Sequence, residues 1–149
     1  MYMHDMRKPA AQELVADCAC HKVRMAARAV TRAYDDALRA LGLRATQYAV
    51  LVAVGNEGAM SITALAEVLG MDRTTLTRNL GPLAKEGLVA VGVEAWRRSR
   101  AVEITKKGRA RLREALPLWE QAQATLKGKL GDRDWISVHN TLDLLIKTA

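Results

Sequence analysis

The stretch SITALAEVLGMDRTTLTRNLGPLAKEG, residues 61–87, decides the fold. Ser61 stands at the head of a short apolar run, Ile62, Leu65, Ala66 and Leu69, and Gly70 follows it. A serine there satisfies a helix amide that has no partner of its own, and a glycine after the run adopts the left-handed conformation that ends a helix. Asp72 repeats the opening signal, so a second helix is predicted from Arg73 to about Glu86, closed by Gly87. Pro82 lies inside it and is expected to bend its last turn, because proline removes a backbone donor. Two short capped helices joined by a tight glycine-containing turn read as a helix-turn-helix.

The flanks fit around that pair. Downstream, Leu88 to Gly92 and Arg100 to Thr105 are short and rich in Val and Ile, with a charged loop between them. They read as a two-stranded hairpin, a wing beside the second helix. Thr105 then stands where it would cap a long helix from Lys106 to about Lys127, with a kink expected at Pro117. Gly131-Asp132 opens a last helix with Trp135, Ile136, Val138, Leu142, Leu145 and Ile146 as its apolar positions.

Upstream, Thr46 is expected to cap a helix from Gln47 to about Asn56, with Tyr48, Leu51, Val52 and Val54 available for a core. From Gln12 to Leu41 there is neither Gly nor Pro. Val23, Ala26, Ala27, Val30, Ala33, Tyr34, Ala37, Leu38 and Leu41 recur at steps of three and four, which predicts one long amphipathic helix ended at Gly42. Met1 to Ala11 reads as a polar arm. The expected fold class is therefore mainly α with a small two-stranded β wing.

Charge singles out the same region. The chain has 149 residues and a formal net charge of +7. Residues 72–113 hold 11 Lys/Arg against 4 Asp/Glu, whereas residues 1–71 hold 8 against 7 and residues 114–149 hold 4 against 5. A basic segment between near-neutral flanks is the footprint of phosphate binding, although a solvated basic face would have the same composition. In the second short helix, Leu76, Leu80 and Leu83 should face the core. Arg73, Thr74, Thr77 and Arg78 are then left on or near the opposite face. Arg suits guanine, Asn suits adenine, and Thr reaches a phosphate or a thymine methyl. The wing carries Trp96-Arg97-Arg98-Ser99-Arg100, and its crowded arginines would be relieved by an anionic partner. The candidate DNA contacts are Ser61, Thr63, Arg73, Thr74, Thr75, Thr77, Arg78, Asn79, Arg97, Arg98, Ser99 and Arg100.

No stretch approaches the ~20 apolar residues of a membrane span, and Met1 to Gln12 lacks the apolar core of a signal peptide. A cytoplasmic protein with no membrane contact is expected. Enzyme motifs are missing: there is no Gly-x-Ser-x-Gly, no His-Glu-x-x-His and no phosphate loop. No catalytic residue, cofactor or metal is expected. The remaining rival is a winged helix used only for protein contacts, against which the segregated charge speaks.

The sequence resembles the MarR family of bacterial regulators from about Leu14 to Leu145. The resemblance rests on Leu41-Gly42-Leu43-Arg44-Ala45-Thr46-Gln47-Tyr48-Ala49-Val50-Leu51, on Ser61 to Ala66, and on Asp72 to Leu80. It continues through Leu83, Glu86-Gly87-Leu88-Val89, the Arg-Arg-Ser-Arg wing and Ile104-Thr105-Lys106-Lys107-Gly108. It implies a winged helix-turn-helix, homodimers with interlocked terminal helices, and a pseudo-palindromic operator on double-stranded DNA. It also implies repression relieved by small phenolic or other aromatic ligands, or by oxidants. Across residues 1–149 it would make one domain, with dimerisation helices at 12–41 and 109–148 and a DNA-binding lobe at 45–105. One position departs from the family: an Asp usually precedes the wing's arginine pair, and here it is Trp96.

Two clusters bear on sensing. Cys18 and Cys20 fall on the first predicted helix. Residues two apart on a helix point about 200° apart, which opposes a shared metal or an easy disulfide. Buried packing, redox sensing and, with His21, part of a metal site are the alternatives. Arg24 and Arg28 lie one turn apart and could hold a ligand carboxylate, with Tyr48 and Trp119 as an aromatic wall. Salt bridges to Asp17, Asp35 or a partner chain are the alternative.

Overall fold

The computed structural model describes residues 10–92 and 100–149. The elements follow in the order α1 (Ala11–Asp17), α2 (Ala19–Leu38), a 3-10 turn (Arg39–Leu41), α3 (Ala45–Glu57), β1 (Met60–Ser61), α4 (Ile62–Leu69), α5 (Arg73–Lys85), β2 (Val89–Val91), β3 (Ala101–Ile104), α6 (Lys106–Leu130) and α7 (Asp132–Thr148). The chain divides into two compact units, Met1–Ala33 and Tyr34–Ala149, with the boundary inside α2.

In the first unit, the single long helix expected from Gln12 to Leu41 is interrupted. Cys18 adopts an extended backbone (φ −72°, ψ 111°) and separates α1 from α2. No glycine or proline marks this break, which is why periodicity missed it. Leu14, Val15, Val23, Met25 and Val30 are all exposed large apolar side chains. A helix face patterned for burial is therefore uncovered in the single chain.

The second unit holds the core. Leu51, Leu65, Leu76, Leu83, Leu88, Val50, Val54 and Val102 are fully buried, and Leu38 joins them from the end of α2. Thus the apolar positions of α3, α4 and α5 meet the wing strands in one cluster. Removing such a packed leucine typically costs 2–5 kcal/mol.

The wing is built on three strands rather than the expected two. β1 pairs antiparallel with β3, and β3 with β2, in the order β1-β3-β2. Met60 stands opposite Val102 and Ser61 opposite Ala101, while Val89 stands opposite Ile104. The Ile62 amide also donates to the Arg100 carbonyl at 3.1 Å, fastening the start of α4 to the start of β3.

Caps set the helix starts as their residues demand, with one exception. The Ser61 side chain accepts from the Ala64 amide, Asp72 from Thr75 and Thr105 from Gly108. Thr46 does not cap α3. The N-cap is Arg44, whose amide donates to the Gln47 side chain at 3.0 Å, and Thr46 sits inside the first turn. Both internal prolines are accommodated: α5 includes Pro82, and α6 runs from Lys106 to Leu130 through Pro117.

Gly108 explains how α6 seats on the wing. A Cβ there would lie 2.0 Å from the Leu88 carbonyl oxygen and 2.8 Å from Ile104 Cγ1. Only glycine permits that approach. The same Leu88 oxygen accepts from the Thr105 amide at 3.1 Å. In α7, by contrast, no residue is buried, and Ile136, Val138, Leu142, Leu144, Leu145 and Ile146 are exposed.

Candidate nucleic-acid interface

The second helix of the pair, α5, presents two faces. Leu76, Leu80 and Leu83 are buried, as their spacing predicts. Arg73, Thr74, Thr77 and Arg78 are exposed. At about 100° per residue, Thr77, Thr74 and Arg78 share roughly 100° of arc on the side away from the core, while Arg73 sits nearer the Leu80 edge. Neither Arg73 nor Arg78 has an ion-pair partner among the described residues. The helix thus offers two uncommitted guanidiniums beside hydroxyls, the chemistry that suits base edges and phosphates.

Several polar side chains of α5 and its cap are engaged within the fold. The Asp72 carboxylate accepts from the Thr75 amide at 2.8 Å and from its hydroxyl at 2.9 Å. Those bonds hold the Asp72 carboxyl below its ordinary range. The Thr77 hydroxyl donates to the Arg73 carbonyl at 2.7 Å. Asn79 donates from Nδ2 to the Thr75 carbonyl at 2.9 Å and accepts at Oδ1 from the Thr46 hydroxyl at 2.8 Å. Asn79, named from the sequence as a base contact, is therefore bound to its own fold here.

Ser61 is half-buried at the β1–α4 junction with its oxygen engaged in capping, and Thr63 is exposed on the first turn of α4. Arg100 is exposed where the wing returns into β3. Arg97, Arg98 and Ser99, with Trp96, lie outside the described residues.

At the far end of α5, Arg111 of α6 donates to the Leu41 carbonyl at 2.7 Å and pairs with Glu86 at 3.5 Å. Lys107 donates to the Glu86 carbonyl at 2.7 Å. Sequence reasoning missed both, since it counted these cations only as basic charge. Their partners lie 21 or more positions away in the chain, beyond any local pattern.

The sensing candidates divide between the units. Tyr48 and Trp119, both in the second, stack with ring centroids 6.0 Å apart and planes 20° from parallel. Tyr48 is buried, and burial, then the nearby Glu120 charge, raises its phenol above the ordinary range, so it stays a neutral donor. Arg24 and Arg28 belong to the first unit and are exposed on α2. Neither pairs with Asp17 or Asp35; Asp35 instead accepts from the Ala45 amide at 2.7 Å. Cys18 and Cys20 are unpaired and exposed in the single chain. Because Cys18 lies at the break before α2, the opposition expected of two residues on one helix no longer applies.

The fold is shared with known proteins. A profile of the MarR family matches residues 41–99. The transcriptional regulator MosR of M. tuberculosis, solved in complex with DNA, is 41% identical, covering 87% of this chain and 93% of that one with a TM-score of 0.77. A second structure of M. tuberculosis MosR gives 39% identity, 88% and 94% coverage and a TM-score of 0.76. Bordetella bronchiseptica BpsR, whose DNA binding is regulated by 6-hydroxynicotinic acid, shares the fold at 23% identity, with 95% and 100% coverage and a TM-score of 0.81. No curated protein matches the sequence.

Proposed function

The chain belongs to the MarR family of DNA-binding transcription regulators, which are not enzymes, and from that premise we propose that it works in the cytoplasm as a homodimeric repressor. Its operator is a pseudo-palindrome, and a small aromatic effector releases it. The observation that carries the reading is the exposed face of α5, with Arg73 and Arg78 unpaired among the described residues. Two copies related by a two-fold axis would bring two such helices to successive major grooves, about 34–36 Å apart.

The dimer is supported by the uncovered apolar faces of α2 and α7, in the two segments of the chain that carry almost no net charge. Such faces suit an interface that meets another protein rather than phosphate. The effector reading rests on Tyr48 and Trp119, whose stacked rings and neutral phenol suit a flat aromatic ligand. Arg24 and Arg28 are candidate carboxylate partners in their own right.

Selection from a randomised pool of DNA duplexes tests the first part. The expected product is two inverted half-sites about 10 base pairs apart centre to centre; enrichment of no sequence would refute the reading. Aromatic acids should raise the melting temperature of the protein, and less so in Trp119→Ala. Equal shifts in both would remove Trp119 from the site.

A second reading is favoured by the exposed Cys18–Cys20 pair at the α1–α2 break. Here peroxide takes two electrons and two protons from the thiols, leaving a disulfide and two waters, and the altered first unit releases DNA. A variant carrying Cys18→Ser and Cys20→Ser that still leaves DNA normally on peroxide treatment refutes it.

A further inference from the structure

We propose that Thr46 and Asn79 are positioning residues for DNA recognition: their hydrogen bond fixes the roll of α5 about its own axis. The inference rests on the reading of α5 as the recognition helix. Asn79 lies on the flank of α5, between the buried leucines and the exposed Thr74–Thr77–Arg78 face. Its side chain is clamped at both ends. Nδ2 donates to the Thr75 carbonyl, and Oδ1 accepts from the Thr46 hydroxyl.

The chemistry leaves one arrangement. A carbonyl only accepts, so the amide nitrogen must face Thr75 and the amide oxygen must face Thr46. The Thr46 hydroxyl must then be the donor. Thr46 is itself held at the first turn of α3, where the adjacent Ala45 amide donates to Asp35 at 2.7 Å. A polar line thus runs from Asp35 through the head of α3 to Asn79, then along Thr75 to the Asp72 cap.

The leucines set the depth of α5 more firmly than its roll, since apolar contacts carry little directionality. The Lys107 and Arg111 contacts at Glu86 hold only its C-terminal end. A directional bond on one flank removes the freedom to roll. Arg78 is the next residue after Thr77 and precedes Asn79, so a roll of the helix moves the guanidinium across the base edges while leaving the overall positive charge unchanged. Loss of the bond should therefore weaken specific binding and spare charge-driven binding.

The test compares Thr46→Val, which keeps the shape and removes the donor, with Thr46→Ser, which keeps the donor. The probes are a duplex selected by the unaltered protein and a scrambled duplex of equal length at low salt. Thr46→Val should bind the selected duplex about 3- to 10-fold more weakly, the scale of one net hydrogen bond. It should bind the scrambled duplex as the unaltered protein does, and Thr46→Ser should restore selectivity. Unchanged binding to the selected duplex overturns the proposal, as does an equal loss on both duplexes, which marks a merely structural role. If Thr46→Val does not fold, Thr46→Ala serves with the same criteria. Arg78→Ala separates the two levels: selective loss there with none in Thr46→Val refutes the positioning role alone, and no loss in either refutes the recognition face together with it.

Discussion

Gly108 packs so closely on Leu88 that a side chain at position 108 has nowhere to go. The Cβ of an alanine would lie 2.0 Å from the Leu88 carbonyl oxygen. That contact, with the Thr105 cap, joins the first turn of α6 to the start of the wing. Gly108→Ala should therefore destabilise the protein by about 3 kcal/mol or more, since neither backbone can yield cheaply. Urea unfolding measures this, and a loss below about 1 kcal/mol would place the α6–wing junction elsewhere.

Asp72 gives a pH signature. Its carboxyl is held below the ordinary value of 3.8, first by the Thr75 amide and then by the Thr75 hydroxyl. A depressed folded pKa means that the cap's contribution is complete above the unfolded value and is lost as pH falls through the folded one. Urea midpoints of the unaltered protein and Asp72→Ala should differ by a constant amount between pH 5 and pH 7, and converge as the pH drops below about 4. A difference that widens in acid would contradict the cap.

The exposed apolar positions of α7 make the dimer testable. Leu142 and Leu145 are both exposed in the single chain. Replacing both with Glu would put charge into a face that two copies should bury. Sedimentation should give twice the 16.4 kDa chain mass for the unaltered protein and a shift toward one chain mass for the variant. An unaltered protein sedimenting as one chain would refute dimerisation.

Much of α5 was legible because its information is local. Leu76, Leu80 and Leu83 announce a buried face by spacing alone, and Ser61, Asp72 and Thr105 announce helix starts by chemistry. Non-local features were not legible. β1 is only Met60 and Ser61, and it exists because β3 lies beside it. Thr46 has the residue type of a cap, yet its hydroxyl reaches Asn79, 33 positions away. The break at Cys18 has no residue signal, because cysteine is neutral toward either conformation. Gly108 reads in sequence as a poor helix residue, and only the Leu88 carbonyl explains it.

On the proposed function, the exposed face of α5 binds DNA through Arg78 and its neighbours. The most direct measurement is the affinity for the selected duplex from 50 to 200 mM salt, for the unaltered protein and for Arg78→Ala. Log affinity should fall steeply and linearly with log salt, and Arg78→Ala should lose about 1–3 kcal/mol. A flat salt response, or an Arg78→Ala variant that binds as tightly as the unaltered protein, would contradict the proposed function.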